Sequence, residues 1–139
     1  DVPLQEYRLA LGGRAWSVLH GEAMLTMEDE QRYLSLAERL PFGVVLWPAA
    51  IALAHDLAAR GDALRGTSVL ELGAGTGLPG IVAASLGARV VQTDRVELAL
   101  DVCRRNAARN GVAGIAHRLA DWRAWDDATR YDWIVGADV

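Results

Sequence analysis

The sequence predicts an α/β chain built on a parallel sheet. Three observations carry that reading. Short apolar runs alternate with helix-length segments from Ser68 onward, a glycine-punctuated loop separates the first run from the helix after it, and the last run, Trp133 to Ala137, is almost unbroken apolar. Strands that alternate with helices imply a parallel sheet covered on both faces.

The elements follow in order. Residues Glu6 to Leu11 alternate, with Tyr7, Leu9 and Leu11 on one side. After Gly12-Gly13, Arg14 to His20 puts Trp16 and Val18 on one face, so the pair reads as a β-hairpin. Thr26 with Asp29 three positions on resembles a capping box and predicts a helix from Met27 to Leu40, stopped by Pro41. Pro48 suits the first turn of the next helix, where its missing N–H costs nothing. Ala50, Leu53, Ala54 and Leu57 give that helix an apolar face, and Gly61 caps it. Val69-Leu70 begins a buried strand. Leu78 to Leu86 is a helix capped by Gly87, and Arg89 to Thr93 a second strand. Arg95 to Arg109 forms a helix with Val96, Leu100, Cys103 and Ala107 on one stripe and Arg104, Arg105 and Arg109 on its solvated side. Ile115 to Ala120 is a third strand and Trp133 to Ala137 a fourth. The chain thus divides into an N-terminal hairpin-and-helix extension over residues 1–42 and a glycine-punctuated unit over residues 43–139.

Composition narrows the function. With 139 residues, 52% hydrophobic and 23% charged, the chain suits one folded domain rather than a disordered segment. A net charge of −4 argues against a non-specific nucleic-acid binder. No apolar run approaches the about 18 residues that suggest a membrane-spanning helix, and no signal peptide is visible. Cys103 is the single cysteine, so an intrachain disulfide is excluded and a reducing, cytoplasmic setting is expected. His20, His55 and His117 share no ligand spacing, and no metal is expected. All 14 basic residues are Arg, which excludes a P-loop lysine and a Schiff-base lysine from this chain.

The informative stretch is Glu71-Leu-Gly-Ala-Gly-Thr-Gly-Leu-Pro-Gly80. Gly75-x-Gly77-x-x-Gly80 follows a predicted strand and opens a predicted helix, the context in which a glycine loop binds a nucleotide-like ligand. Asp94 follows about 20 residues on, at the end of the second strand, where a carboxylate accepts hydrogen bonds from ribose hydroxyls. Glu71 separates the two main ligands. A buried negative charge beside the loop opposes a pyrophosphate, whereas S-adenosyl-L-methionine carries a sulfonium and an ammonium and no phosphate. Charge complementarity favours the latter over NAD.

At these residues the chain resembles a known family. Glu71 to Gly77 is similar to motif I of the class I S-adenosylmethionine-dependent methyltransferases. Leu46-Trp47-Pro-Ala-Ala50, Gly77-Leu-Pro-Gly-Ile-Val82, Thr93-Asp94, Asn106 to Asn110, Asp121-Trp122 and Gly136-Ala-Asp138 follow in the order of one branch. That branch is the methyltransferase-16 group, protein-lysine and nicotinamide N-methyltransferase-like enzymes, over residues 43–139. The resemblance implies a Rossmann-like class I methyltransferase sheet of which strands one to four are present and the C-terminal strands are missing, as in the N-terminal part of a longer protein.

The resemblance also implies roles. Gly73, Ala74, Gly75 and Gly77 would wall the methionine part of the cofactor, with Glu71 near its ammonium. Asp94 would hold the ribose, Trp122 would pack on the adenine, and Asp121 would lie near the adenine amino group. Trp47 would lean into the methionine end, and Ala137 would line the pocket behind strand four. Asp138 would open the acidic-x-x-aromatic motif at the mouth where a substrate amine enters. Plainer readings stand beside these: Trp47 as a core aromatic, and Trp122 as a loop anchor with Trp125 as its rival. Trp133 and Cys103 read as core.

The implied reaction is N-methylation of a protein lysine or a small-molecule amine. Two rivals remain at this point. A dehydrogenase using NAD(P) would want an apolar residue at position 71, and a scaffold that binds the cofactor or a partner without turnover would need no substrate site. The methyl acceptor and the oligomeric state are not legible.

Overall fold

In a computed structural model, residues 3–22 and 42–139 are described. The helix expected from Met27 to Leu40 lies outside them. β1 (Leu4–Leu11) and β2 (Arg14–Gly21) form the expected antiparallel hairpin, with Leu9 opposite Trp16. Alternation sends Leu11, Trp16 and Val18 inward, and the Trp16 indole N–H donates to the Leu11 carbonyl at 3.1 Å. A 3-10 turn (Phe42–Val44) leads to α1 (Pro48–Arg60), which buries Ala54 and Leu57 and ends where the Gly61 N–H bonds the Ala58 carbonyl. A second 3-10 turn (Gly61–Leu64) follows.

The α/β unit consists of β3 (Ser68–Leu72), α2 (Leu78–Ser85), β4 (Arg89–Asp94), α3 (Glu97–Arg109), β5 (Ala116–Leu119) and β6 (Trp133–Gly136). The sheet is parallel, in the order β5-β4-β3-β6. α3 starts at Glu97 rather than at Arg95. The Asp94 carboxylate accepts the Val96 N–H at 3.0 Å and holds Val96 extended, so the first two expected residues form the lead-in to the helix. A short 3-10 turn (Trp122–Ala124) fills a stretch that the sequence left without an element.

Cover on both faces is not what the described residues show. Crossovers from β3 to β4 and from β4 to β5 step in the same direction, and right-handedness puts both connecting helices on one face. There α1 packs on α2, and α2 on α3. Val69, Glu71, Val90 and Gln92 point into this layer and are buried. In the alternate row, Ile134 on the outer strand β6 is 63% exposed. No helix among the described residues is long and apolar enough to cross a membrane.

The hairpin shares the same hydrophobic cluster, in which Leu11, Trp16 and Val18 join Leu57, Ile81 and Val90. Polar bonds fasten it to α3. Asn110 accepts the Ser17 N–H at 3.0 Å, and Arg109 pairs with Glu6 at 2.9 Å. The buried Asn106 accepts the Leu19 N–H at 2.7 Å and donates to the carbonyls of Leu19 at 3.0 Å and Thr76 at 2.8 Å. One side chain thus ties the hairpin to the glycine loop.

Candidate functional site

Parallel strands end in loops on one edge, and the crevice beyond the carboxyl ends is where such sheets hold ligands. Here that crevice is a cavity of about 610 Å³, within the roughly 300–1,000 Å³ of small-molecule sites. Its floor is the loop from β3 to α2. Gly75 adopts φ of 57°, a left-handed conformation open to glycine, and its N–H donates to Asp94 Oδ2 at 3.1 Å. Both Asp94 oxygens therefore already accept a backbone N–H, and each keeps a lone pair for a further donor.

Glu71 sits on β3 beneath this loop and is 2% exposed. Its Oε2 accepts the Gly80 N–H at 3.0 Å and the Gln92 amide at 2.7 Å, while Oε1 has no partner among the described residues. Burial pushes its carboxyl up to about 7. The Gln92 and Gly80 bonds oppose that rise, and the Asp94 charge adds to it. The site therefore holds a carboxylate poised to gain from a cationic ligand.

Of the residues singled out by the sequence, Trp47, Glu71, Gly73, Ala74, Gly75 and Asp94 line the cavity from the first half of the unit. Asp121, Trp122, Ala137 and Asp138 line it from the second. Gly77 does not. It caps α2 facing the helix layer, where a Cβ would stand 2.9 Å from Cys103 Sγ and from Gln92 Nε2. Trp122 is 48% exposed and overhangs Gly73. Asp121 caps the turn beneath it and is engaged twice over by the Arg123 guanidinium, whose charge and hydrogen bonds hold its carboxyl down at about 2. Asp138 takes φ of 53°, which Asp tolerates better than most side chains. Trp125 lies outside the cavity, with its indole N–H on the Asp127 carbonyl, and Trp133 packs against the core. Cys103 is buried and donates to the Gly75 carbonyl at 3.2 Å.

Sequence reasoning missed Arg95 and Arg123, which line the cavity beside Asp94 and Asp121. It also missed Gln92. A signal existed for Gln92: a polar residue in the inward row between Val90 and Asp94, one step along that row from the carboxylate. For the arginines no periodicity distinguishes a cavity wall from a solvated face.

Comparison with known proteins gives this geometry a family. The methyltransferase-16 family model, described as lysine methyltransferase, matches residues 27–139. The chain is 42% identical over 107 residues to protein N-lysine methyltransferase METTL21A of Xenopus tropicalis, covering 73% of this chain and 49% of that protein. It is 33% identical over 144 aligned residues to histone-arginine methyltransferase METTL23 of Xenopus laevis, covering 97% of this chain and 60% of that protein. The chain thus spans about half the length of these curated relatives. Among solved structures, the Thermus thermophilus 16S rRNA N2 G1207 methyltransferase in complex with AdoMet and guanosine has the same fold, with a TM-score of 0.68 at 20% identity over 98% of this chain and 33% of that one. The arrangement of loop, strands and cavity, together with a family match over most of its length, makes this chain a member of the methyltransferase-16 family of lysine methyltransferases.

Proposed function

We infer that the protein is an S-adenosyl-L-methionine-dependent N-methyltransferase whose acceptor is a protein lysine amine. The observation that carries the reading is the buried Glu71 carboxylate on the cavity wall at the glycine loop, with one oxygen unpartnered among the described residues. A pyrophosphate there would face an uncompensated negative charge, whereas an ammonium gains a charged hydrogen bond. The donor set fits the cofactor. Glu71 takes the ammonium, the free lone pairs of Asp94 take the ribose hydroxyls, and Trp122 stacks on the adenine beside Asp121. Trp47 and Ala137 flank the methionine end, with Gly73, Ala74 and Gly75 close beneath and Gly77 shaping the loop from behind. The relatives named as protein methyltransferases support a protein acceptor, and the family description favours lysine over arginine.

The bound cofactor supplies an activated methyl group on its sulfonium. What the chain must do is bind, orient and exclude water. Methyl transfer needs a neutral amine in line with the methyl. Asp138, exposed at the cavity mouth, accepts a hydrogen bond from that amine and orients it. No nucleophile is required. Calorimetric titration with S-adenosylhomocysteine, with NAD in parallel, tests the cofactor class. Saturable binding of the first and none of the second is expected; binding of NAD alone overturns the reading. Methyl transfer to lysine peptides but not arginine peptides is the test of acceptor.

A further inference from the structure

We propose that Gln92 is a positioning residue that holds the Glu71 carboxylate in place and aims its second oxygen at the ligand. The inference rests on the reading of Glu71 as the ammonium partner. Gln92 and Glu71 are register partners on β4 and β3, both directed into the helix layer. The Gln92 amide nitrogen donates to Glu71 Oε2 at 2.7 Å and to the Gly77 carbonyl at 2.8 Å. Both partners are acceptors, so the nitrogen must face them and Oε1 must point away. That oxygen is buried and has no partner among the described residues. A strand core would avoid an unpaired acceptor by using an aliphatic side chain, and the arrangement makes sense if the amide serves the carboxylate.

The surroundings leave the carboxylate little else. From α2 it receives only the Gly80 N–H, which comes this close because residue 80 has no side chain: a Cβ there would lie 2.3 Å from Oε2. Among the described residues the titratable neighbours are Asp94 on β4, whose charge opposes ionisation of Glu71, and Cys103 on α3, which burial keeps as the neutral thiol. β6 offers Val135 in register. Among the described residues Gln92 is therefore the only side chain that favours the ionised form of Glu71, and it ties that form to the loop through Gly77.

The test is the pH profile of binding, read with two probes. S-adenosylhomocysteine carries the ammonium; 5′-methylthioadenosine shares the adenosine and thioether and lacks it. For the unaltered protein, S-adenosylhomocysteine affinity should fall as pH drops below about 7, while the second probe stays flat. Gln92→Met removes the amide at similar volume. It should move the inflection up by about one pH unit and weaken S-adenosylhomocysteine about fivefold at pH 7, with 5′-methylthioadenosine unchanged. Gln92→Asn, one methylene too short to reach, gives the same shift and serves if the Met variant does not fold. Equal weakening of both probes, or an unmoved inflection, overturns the proposal. Glu71→Gln separates the two claims. If it flattens the S-adenosylhomocysteine profile while Gln92→Met leaves the profile alone, the positioning role fails and the cofactor reading stands. If Glu71→Gln leaves the profile as it was, both fail.

Discussion

Gly80→Ala puts a methyl group where a carboxylate already lies. An ideal Cβ at residue 80 stands 2.3 Å from Glu71 Oε2 and 2.6 Å from Gln92 Nε2. The carboxylate would have to retreat by about 0.7 Å to reach even the 3.0 Å lower limit of real contacts. That stretches the 3.0 Å bond from the Gly80 N–H beyond hydrogen-bonding distance. Overpacking costs about 1–3 kcal/mol. A hydrogen bond lost from a charged group costs about 1.5–3 kcal/mol, and the better helix propensity of Ala returns about 1 kcal/mol. The net loss is about 3 kcal/mol. At a urea slope of about 2 kcal/mol/M, the unfolding midpoint drops by about 1.5 M. The assay is urea unfolding by circular dichroism at pH 8, where Glu71 is ionised, with Ser85→Ala at the exposed end of the same helix as a control expected within about 0.5 kcal/mol. In a Glu71→Ala background the methyl gains room, and the cost should fall below about 1 kcal/mol. A Gly80→Ala protein as stable as the parent would refute the close packing of this cluster.

Other outcomes follow from the same geometry. Glu71 titrates at about 7 folded against 4.5 unfolded, so between those values the native state holds more protons and stability falls as pH rises, levelling above 7. Glu71→Gln should erase that slope and raise stability at pH 8 by about 3 kcal/mol, as checked by thermal melts across pH 4.5–8. Glu6 behaves oppositely: hydrogen bonds from Ser17, Arg8 and Arg109 hold its carboxyl at about 2, so its contribution is present above pH 4.5 and lost as pH falls toward 2, and Glu6→Gln should flatten that acid limb. Cys103 is buried with its thiol pushed up, so a maleimide should label it only at the rate of unfolding; fast labelling of the folded protein would contradict its place on the buried face of α3. Asp138→Ala should lower turnover about 100-fold while S-adenosylhomocysteine binding is kept, and unchanged turnover removes Asp138 from the mechanism.

The sequence was most legible where a residue's type answers a backbone demand. Gly61, Gly75 and Gly87 sit at turns, Pro48 opens α1, and alternation in the hairpin sorts Trp16 and Val18 inward. The cavity residues were legible because strand ends and the glycine loop converge on one edge of a parallel sheet. Two kinds of feature escaped. The start of α3 depends on the side chain of Asp94 competing for a backbone N–H, which periodicity does not register. The one-sided helix layer follows from crossover direction, and apolar runs alone carry no handedness. Gln92 escaped because a strand pattern reads one polar residue as noise until its neighbours across the sheet are known.

The Asn106 bonds have a thermodynamic consequence. A single amide holds residues 19 and 76, which belong to distant parts of the chain. Any ligand that steadies the loop at Thr76 therefore also steadies the hairpin at Leu19, and by linkage a docked hairpin must raise the loop's affinity by the same factor. The two strands at the back of the molecule never meet the cavity, yet they share its free energy. Protease resistance of the hairpin, Leu4 to Gly21, is thus a remote gauge of occupancy at the front.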